Sequence, residues 1–321
     1  MDLFDRILSV AEVEVELELR GRLAVPWAEF VLNPRQLRGS DFLMRWSQGR
    51  WSEERLIEAV NETGTYLAIP YGPSGTAPDD SPREFELYFT RPEEAGLGEV
   101  KRPDLLVFSS ADKAQVWGTV EAVGGVEQLP FTAEDELVDL LSRALLAVEC
   151  ENSLWVARQM PDYGSALRPM RRLGGQLGLP KNAVLPTIIL KEEDWDALRD
   201  WQAQSTVPIH IWHVFYDLAF GIPFDEFEEL IKERKIEPRA QTFQAPGGAV
   251  TRKVTYRCYY HYGYPLAAAR EEPELVPDCI VDGNGHVLPY VRFQGGSMEL
   301  STRALALLDQ VREQRGADPH G

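Results

Sequence analysis

The chain has 321 residues, 44% of them hydrophobic, with 51 acidic against 33 basic side chains and a formal charge of -18. That length and apolar content suit a globular protein with a sizeable core and exclude a disordered or fibrous chain. Three widely spaced cysteines, Cys150, Cys258 and Cys279, form no Cys-x-x-Cys pair and suggest neither a disulfide framework nor a structural zinc site.

The N-terminus, Met1 to Arg6, lacks the basic start and apolar run of a signal peptide, and no later stretch is apolar for long enough to span a bilayer. A cytoplasmic protein with no membrane partner is the expectation. Residues 11 to 19 alternate apolar and acidic, the pattern of a strand with one wet face. From Asp41 to Val60 a helix is predicted, with Ser52 as N-cap, Leu56, Ile57 and Val60 as its apolar stripe, and Glu53 and Glu54 in a first turn where the helix dipole favours them. Ile69 to Pro82 is too rich in Pro and Gly for regular structure, and Glu84 to Phe89 reads as a strand.

Lys101-Arg-Pro-Asp104 then introduces a short apolar strand, Leu105 to Phe108. Asp104 is either a turn residue or a metal ligand on the sheet edge. A helix over 133–144, capped by Thr132, feeds the apolar run Leu145 to Val148, which ends in Glu149-Cys-Glu151. Successive strand residues face opposite ways, so Glu149 and Glu151 share one face while Val148 and Cys150 take the other. Two carboxylates side by side in a half-buried sheet call for a cation, and Mg²⁺, held by a few carboxylates, waters and phosphate oxygens, is the usual answer.

A strand over 183–190, a helix from Glu192 to Gln204, a strand over 207–216 and a helix from Phe224 to Arg234 follow. This alternation predicts an α/β sheet with at least one crossover. The aromatic stretch Val254 to Tyr264 is β-prone, and Ser301 to Arg312 reads as a closing helix. With no repeat and no long linker, one compact catalytic domain is expected: an N-terminal elaboration over 1–82, a core over 83–235 and a C-terminal elaboration over 236–321.

The acidic balance runs against the basic excess of most nucleic-acid-binding proteins, yet the charges are unevenly placed. Between Arg158 and Lys181 stand Arg158, Arg168, Arg171, Arg172 and Lys181 against the single acid Asp162; between Thr251 and Tyr264 stand Arg252, Lys253 and Arg257 with no acid. These two segments are the candidate DNA-binding surface, Arg for guanine edges and Lys for phosphates, with ordinary solvated surface as the alternative.

Pro-Asp before one strand and Glu-x-Glu at the end of another, followed by strand, helix and strand, resembles the PD-(D/E)xK nuclease pattern. Blocks over 44–53, 69–75, 149–164 and 208–217 are similar to type II restriction endonucleases, the AccI-like group in particular, and the resemblance runs from about residue 40 to residue 265. It implies a restriction-endonuclease-like mixed sheet flanked by helices. It also implies a Mg²⁺-dependent homodimer of a restriction-modification system that cuts double-stranded DNA at a specific site, with no nucleotide cofactor. Asp104 and Glu149 would be metal ligands and Glu151 catalytic. The usual lysine is replaced by Glu151, leaving Glu151 itself or Lys101 to serve the water. Glu86, sharing a face with Glu84, is a further candidate carboxylate, and Glu54 a weaker one.

Other classes compete. A non-specific or repair nuclease of the same pattern, or a DNA-binding protein without turnover, would also suit these residues. Glycoside hydrolysis needs two carboxyls on opposite sides of a sugar, which acids on one strand face fit poorly. His210 and His213, three apart in a strand, fall on opposite faces and are expected as packed side chains rather than a shared metal site. Asp162 is expected in a turn.

Overall fold

A computed structural model of the chain describes residues 40–73, 101–244, 250–281 and 287–317. The expected strands at 11–19 and 84–89, with Glu84 and Glu86, lie outside these residues. The elements used below are α1 (Ser40–Asn61), β1 (Tyr66–Pro70), β2 (Leu105–Ser109), α2 (Lys113–Ala122), α3 (Val138–Arg143) and β3 (Leu146–Asn152). They continue with β4 (Thr187–Lys191), α4 (Glu192–Ser205), β5 (Ile209–Val214), β6 (Leu218–Pro223), α5 (Phe224–Lys232), β7 (Pro238–Gln244) and β8 (Val250–Tyr259). Last come β9 (Tyr264–Glu271), β10 (Glu274–Val281), β11 (Val287–Gln294), β12 (Ser297–Leu300) and α6 (Thr302–Ala317).

The protein is α/β. Seven strands form one mixed sheet in the order β1-β2-β3-β5-β6-β9-β12. Only β3 and β5 run parallel, joined by a crossover that contains β4 and α4; the other neighbours are antiparallel. A three-stranded sheet, β4-β8-β7, and a hairpin, β10-β11, are hydrogen-bonded separately from it.

Strand alternation sorts the core into two layers. Leu106, Phe108, Ala147, Ile209 and Ile211 face Val116 and Val120 of α2, Leu140 and Leu141 of α3, Leu198 and Trp201 of α4, and Phe224 and Phe227 of α5. Leu105, Val107, Leu146, Val148, Trp212 and Val214 face Leu56 and Val60 of α1 and Ala304 and Leu308 of α6. Each layer buries several large apolar side chains, at about 1.5–3 kcal/mol each relative to exposure, which outweighs the weak local preferences of short segments.

Several local expectations give way to that packing. Ser52 is not an N-cap: α1 begins at Ser40, and Ser52 sits buried in its interior. Thr132 is not an N-cap but ends the preceding 3₁₀ turn, its hydroxyl donating to Gln128 O, and the expected helix over 133–144 is a 3₁₀ turn, Glu134–Leu137, followed by the short α3. Pro186 and Pro208 have no N–H to offer a ladder, so β4 and β5 start one residue after each. The aromatic stretch over 254–264 breaks at a 3₁₀ turn, Tyr260–Tyr262, and β9 after it joins the main sheet. The stretch over 236–321 therefore supplies two strands, β9 and β12, and one flanking helix to the central layer.

Candidate metal centre

Because β3 and β5 are parallel, their carboxyl ends meet at one edge of the sheet, where β2 begins. The β2–β3 pairing stops at Leu105 opposite Val148. Beyond it the Asp104 side chain takes over: Asp104 N–H donates to Val148 O at 2.7 Å, and Cys150 N–H donates to Asp104 Oδ2 at 2.7 Å. A backbone group left bare by the diverging strand is thus satisfied by the aspartate, which is held beside Glu149 and Glu151. Gly72 lies against this turn; a Cβ there would come within 2.9 Å of Pro103 O and 3.4 Å of Asp104 Oδ1. Next to Pro103, the buried Arg102 pins the segment from the other side, pairing with Glu134 at 2.7 Å and donating to Leu129 O and Thr132 O.

Glu149 and Glu151 share a face, as strand geometry requires, and each has a lysine. Lys101 Nζ lies 2.7 Å from Glu149 Oε1, and Lys191 Nζ lies 2.6 Å from Glu151 Oε1. Lys191 ends β4, and Asp194, in the first turn of α4, stands 3.9 Å from the same ammonium. Glu149, Glu151 and Asp194 each offer an oxygen within 4.8 Å of the others. Asp104 is not one of that trio, but its charge acts on Lys101, Glu149 and Glu151 alike.

Burial sets the electrostatics. Glu149 is only 2% exposed, and desolvation pushes its carboxyl up to about 8, with the Lys101 ammonium pulling the other way. Glu151 is raised as well, by burial, against the pull of Lys191. Burial works against both ammonium groups, but Glu149 and then Asp104 hold Lys101 above the ordinary lysine value, and Glu151 does the same for Lys191.

The donor set fits a divalent cation. Four carboxyl groups stand against two ammonium groups, and Glu149 Oε2 is buried without a hydrogen-bond partner. All the ligand atoms are hard oxygens, which suits Mg²⁺ rather than zinc.

Among the other expected residues, the structure brings some together and not others. Arg172 and Arg257 line one cleft past the end of β3. Arg172 pairs with Glu237 at 2.7 Å, and Lys253 with Glu193 at 3.0 Å. Arg168, Arg171 and Arg252 are exposed and do not line that cleft. Glu54 pairs with Arg50 one turn away at 2.8 Å instead of reaching the acids. Asp162 closes a turn and accepts from Val184 N–H. His210 and His213 do fall on opposite faces. His210 meets Tyr264 Oη at 2.8 Å, whereas neither nitrogen of His213 has a partner.

Sequence reasoning missed Lys191 and Asp194. Their signal was faint, a Lys-Glu-Glu-Asp run at a strand-to-helix junction, and it gains meaning only once β4 is seen to end over Glu151. No protein-family model, no curated protein and no solved structure matches the chain.

Proposed function

We propose that the protein is a Mg²⁺-dependent, sequence-specific DNA endonuclease of the type II restriction class, acting as a homodimer on double-stranded DNA. One observation carries this: Asp104, Glu149, Glu151 and Asp194 gather with Lys101 and Lys191 at the carboxyl end of a parallel strand pair. Ligands in open α/β sheets favour that end.

Glu149, Glu151 and Asp194 would hold the cation, with Asp104 kept in place beside them by Cys150 N–H. A bound Mg²⁺ supplies charge neutralisation at the phosphate and acidifies water. Lys191, on the solvent side of Glu151, is placed to donate to a phosphate oxygen or to the attacking water, the task of the lysine missing after Glu149. Glu151, with one oxygen toward Lys191, would also serve as acceptor for the proton that the water gives up. Lys101, deeper in the site, offsets the charge of Glu149 and orients its carboxylate. On an otherwise acidic body, the cations of the cleft past β3, Arg172 and Arg257 among them, would meet the polyelectrolyte.

A second reading draws on the same lysines: because each glutamate is already matched by an ammonium, the fold could bind DNA without turnover. Digestion of a plasmid of known sequence with Mg²⁺ separates them. Discrete fragments are expected, with loss of cutting and retention of binding in Glu149→Ala. A smear would indicate a non-specific nuclease, and a DNA shift without product at any divalent metal concentration would end the nuclease proposal.

A further inference from the structure

Just past Glu151, β3 runs into a second site of opposite charge. Asn152 and Ser153 form part of the wall of a cleft of about 670 Å³, a volume in the range of small-ligand pockets. Five cations line it: Arg172, Lys181, Lys235, Arg239 and Arg257. Arg172 is matched by Glu237 and Lys235 by Glu233, but Lys181, Arg239 and Arg257 have no carboxylate partner among the described residues. In a chain with a net charge of -18, three unmatched cations in one concavity are out of keeping with the composition.

Two further features point to a ligand. The first is unmet polarity. His213, 1% exposed, lines the cleft with neither ring nitrogen bonded, and Arg257 Nε is buried without an acceptor. Arg239 adds its repulsion to the burial that already lowers the Arg257 pKa, an arrangement that an anion between them would relieve. The second is an aromatic face. Trp155 is 58% exposed, the most exposed tryptophan among the described residues, and it forms part of the same lining. A flat apolar plate beside paired guanidinium groups matches a base attached to a phosphate.

We propose that this cleft binds one unpaired nucleotide, its base stacked on Trp155 and hydrogen-bonded by His213, its 5′-phosphate held by Arg239 and Arg257. The same chemistry is offered by a nucleotide turned out of a strand and by a free nucleoside monophosphate. The inference extends the nuclease reading to a neighbouring site but does not need catalysis, so it is tested without metal.

The full chain in EDTA is titrated calorimetrically with deoxyadenosine 5′-monophosphate, deoxyadenosine, inorganic phosphate and a 5′-phosphorylated single-stranded tetranucleotide. Saturable binding of the monophosphate is expected, with deoxyadenosine and phosphate each at least about 10-fold weaker. Trp155→Ala, at an exposed position, should weaken the nucleotide by about 10-fold and leave phosphate unchanged; Arg257→Met should weaken both. Tighter binding of the tetranucleotide assigns the site to a strand, and equal binding assigns it to the free nucleotide. No binding of the monophosphate, or binding that phosphate equals and Trp155→Ala does not alter, overturns the proposal. A chain that binds but does not cut DNA keeps this inference and loses the nuclease one; a chain that cuts but does not bind does the reverse.

Discussion

The two faces of the β3–β5 pair are built from alternate residues of the same two strands, yet they handle polar groups in opposite ways. On the side of α1 and α6, Trp212 Nε1 donates to Tyr264 Oη at 2.8 Å, and the hydroxyl meets His210 Nδ1 at the same distance. Gly221 makes room for that ring, since a Cβ there would lie 2.4 Å from Tyr264 Cζ. Burial keeps His210 neutral, with its pKa lowered to about 4. On the other side, Glu149 Oε2 and both nitrogens of His213 are buried without partners, and four carboxyl groups stand against two ammonium groups. The backbone is common to both, so neither strand geometry nor depth explains the difference. Unmet polarity confined to one face of a shared element marks where a ligand is expected, while a closed network on the opposite face marks architecture.

The comparison can be broken by substitution. The largest effect is expected from Glu149→Gln, which keeps the shape but removes the charge: cleavage in Mg²⁺ should fall by more than about 100-fold, because even residues that only support metal ligands cost about 10–100-fold. Single-turnover digestion reads this, and parental rates would remove the distinction between the faces. Lys191→Met comes next, with a loss of about 10–100-fold in cleavage and a much smaller loss of DNA affinity by mobility shift. Tyr264→Phe is the converse. It strips Trp212 and His210 of their shared partner and should cost about 1–3 kcal/mol in denaturant unfolding without altering the cleavage rate. A loss of activity larger than the loss of fold there would mean that the closed face also serves the chemistry.

The smallest effect is a slope with pH. The Glu149 carboxyl binds its proton more tightly folded than unfolded, so its contribution to stability is whole below the ordinary 4.5 and is lost as pH rises through about 8. Thermal unfolding in EDTA should therefore show stability falling across that window relative to Glu149→Gln, in which the slope is absent. Mg²⁺ should flatten it, with up to about one proton released on metal binding near neutral pH. Identical slopes in the two proteins would show that Glu149 is ionised throughout.

The candidate site was legible in Asp104, Glu149, Glu151 and Lys101, which lie on or beside two strands, and not in Lys191 and Asp194, which the crossover brings to them. Strand alternation alone placed Glu149 and Glu151 together, Val148 and Cys150 opposite, and His210 away from His213, because a two-residue period leaves no other choice. The Pro-Asp turn before β2 was also local, although its task, hydrogen-bonding the bare Cys150 N–H, was not. The basic segments were seen as sequence, but Arg172 and Lys253 proved to be tied to Glu237 and Glu193, residues distant in the chain.

Composition, periodicity and the residues flanking each run determined that the chain folds as an α/β protein and that two glutamates face one way at the end of a buried strand. Tertiary structure alone decided that Lys101, Lys191 and Asp194 reach those glutamates, and that an arginine-lined cleft with an exposed indole lies beside them. The reason is the range of the forces involved. Side-chain direction along a strand follows from the stereochemistry of neighbouring peptides, whereas the meeting of residues from β3, β4 and α4 depends on how a long crossover packs across the parallel pair, and no local pattern records that.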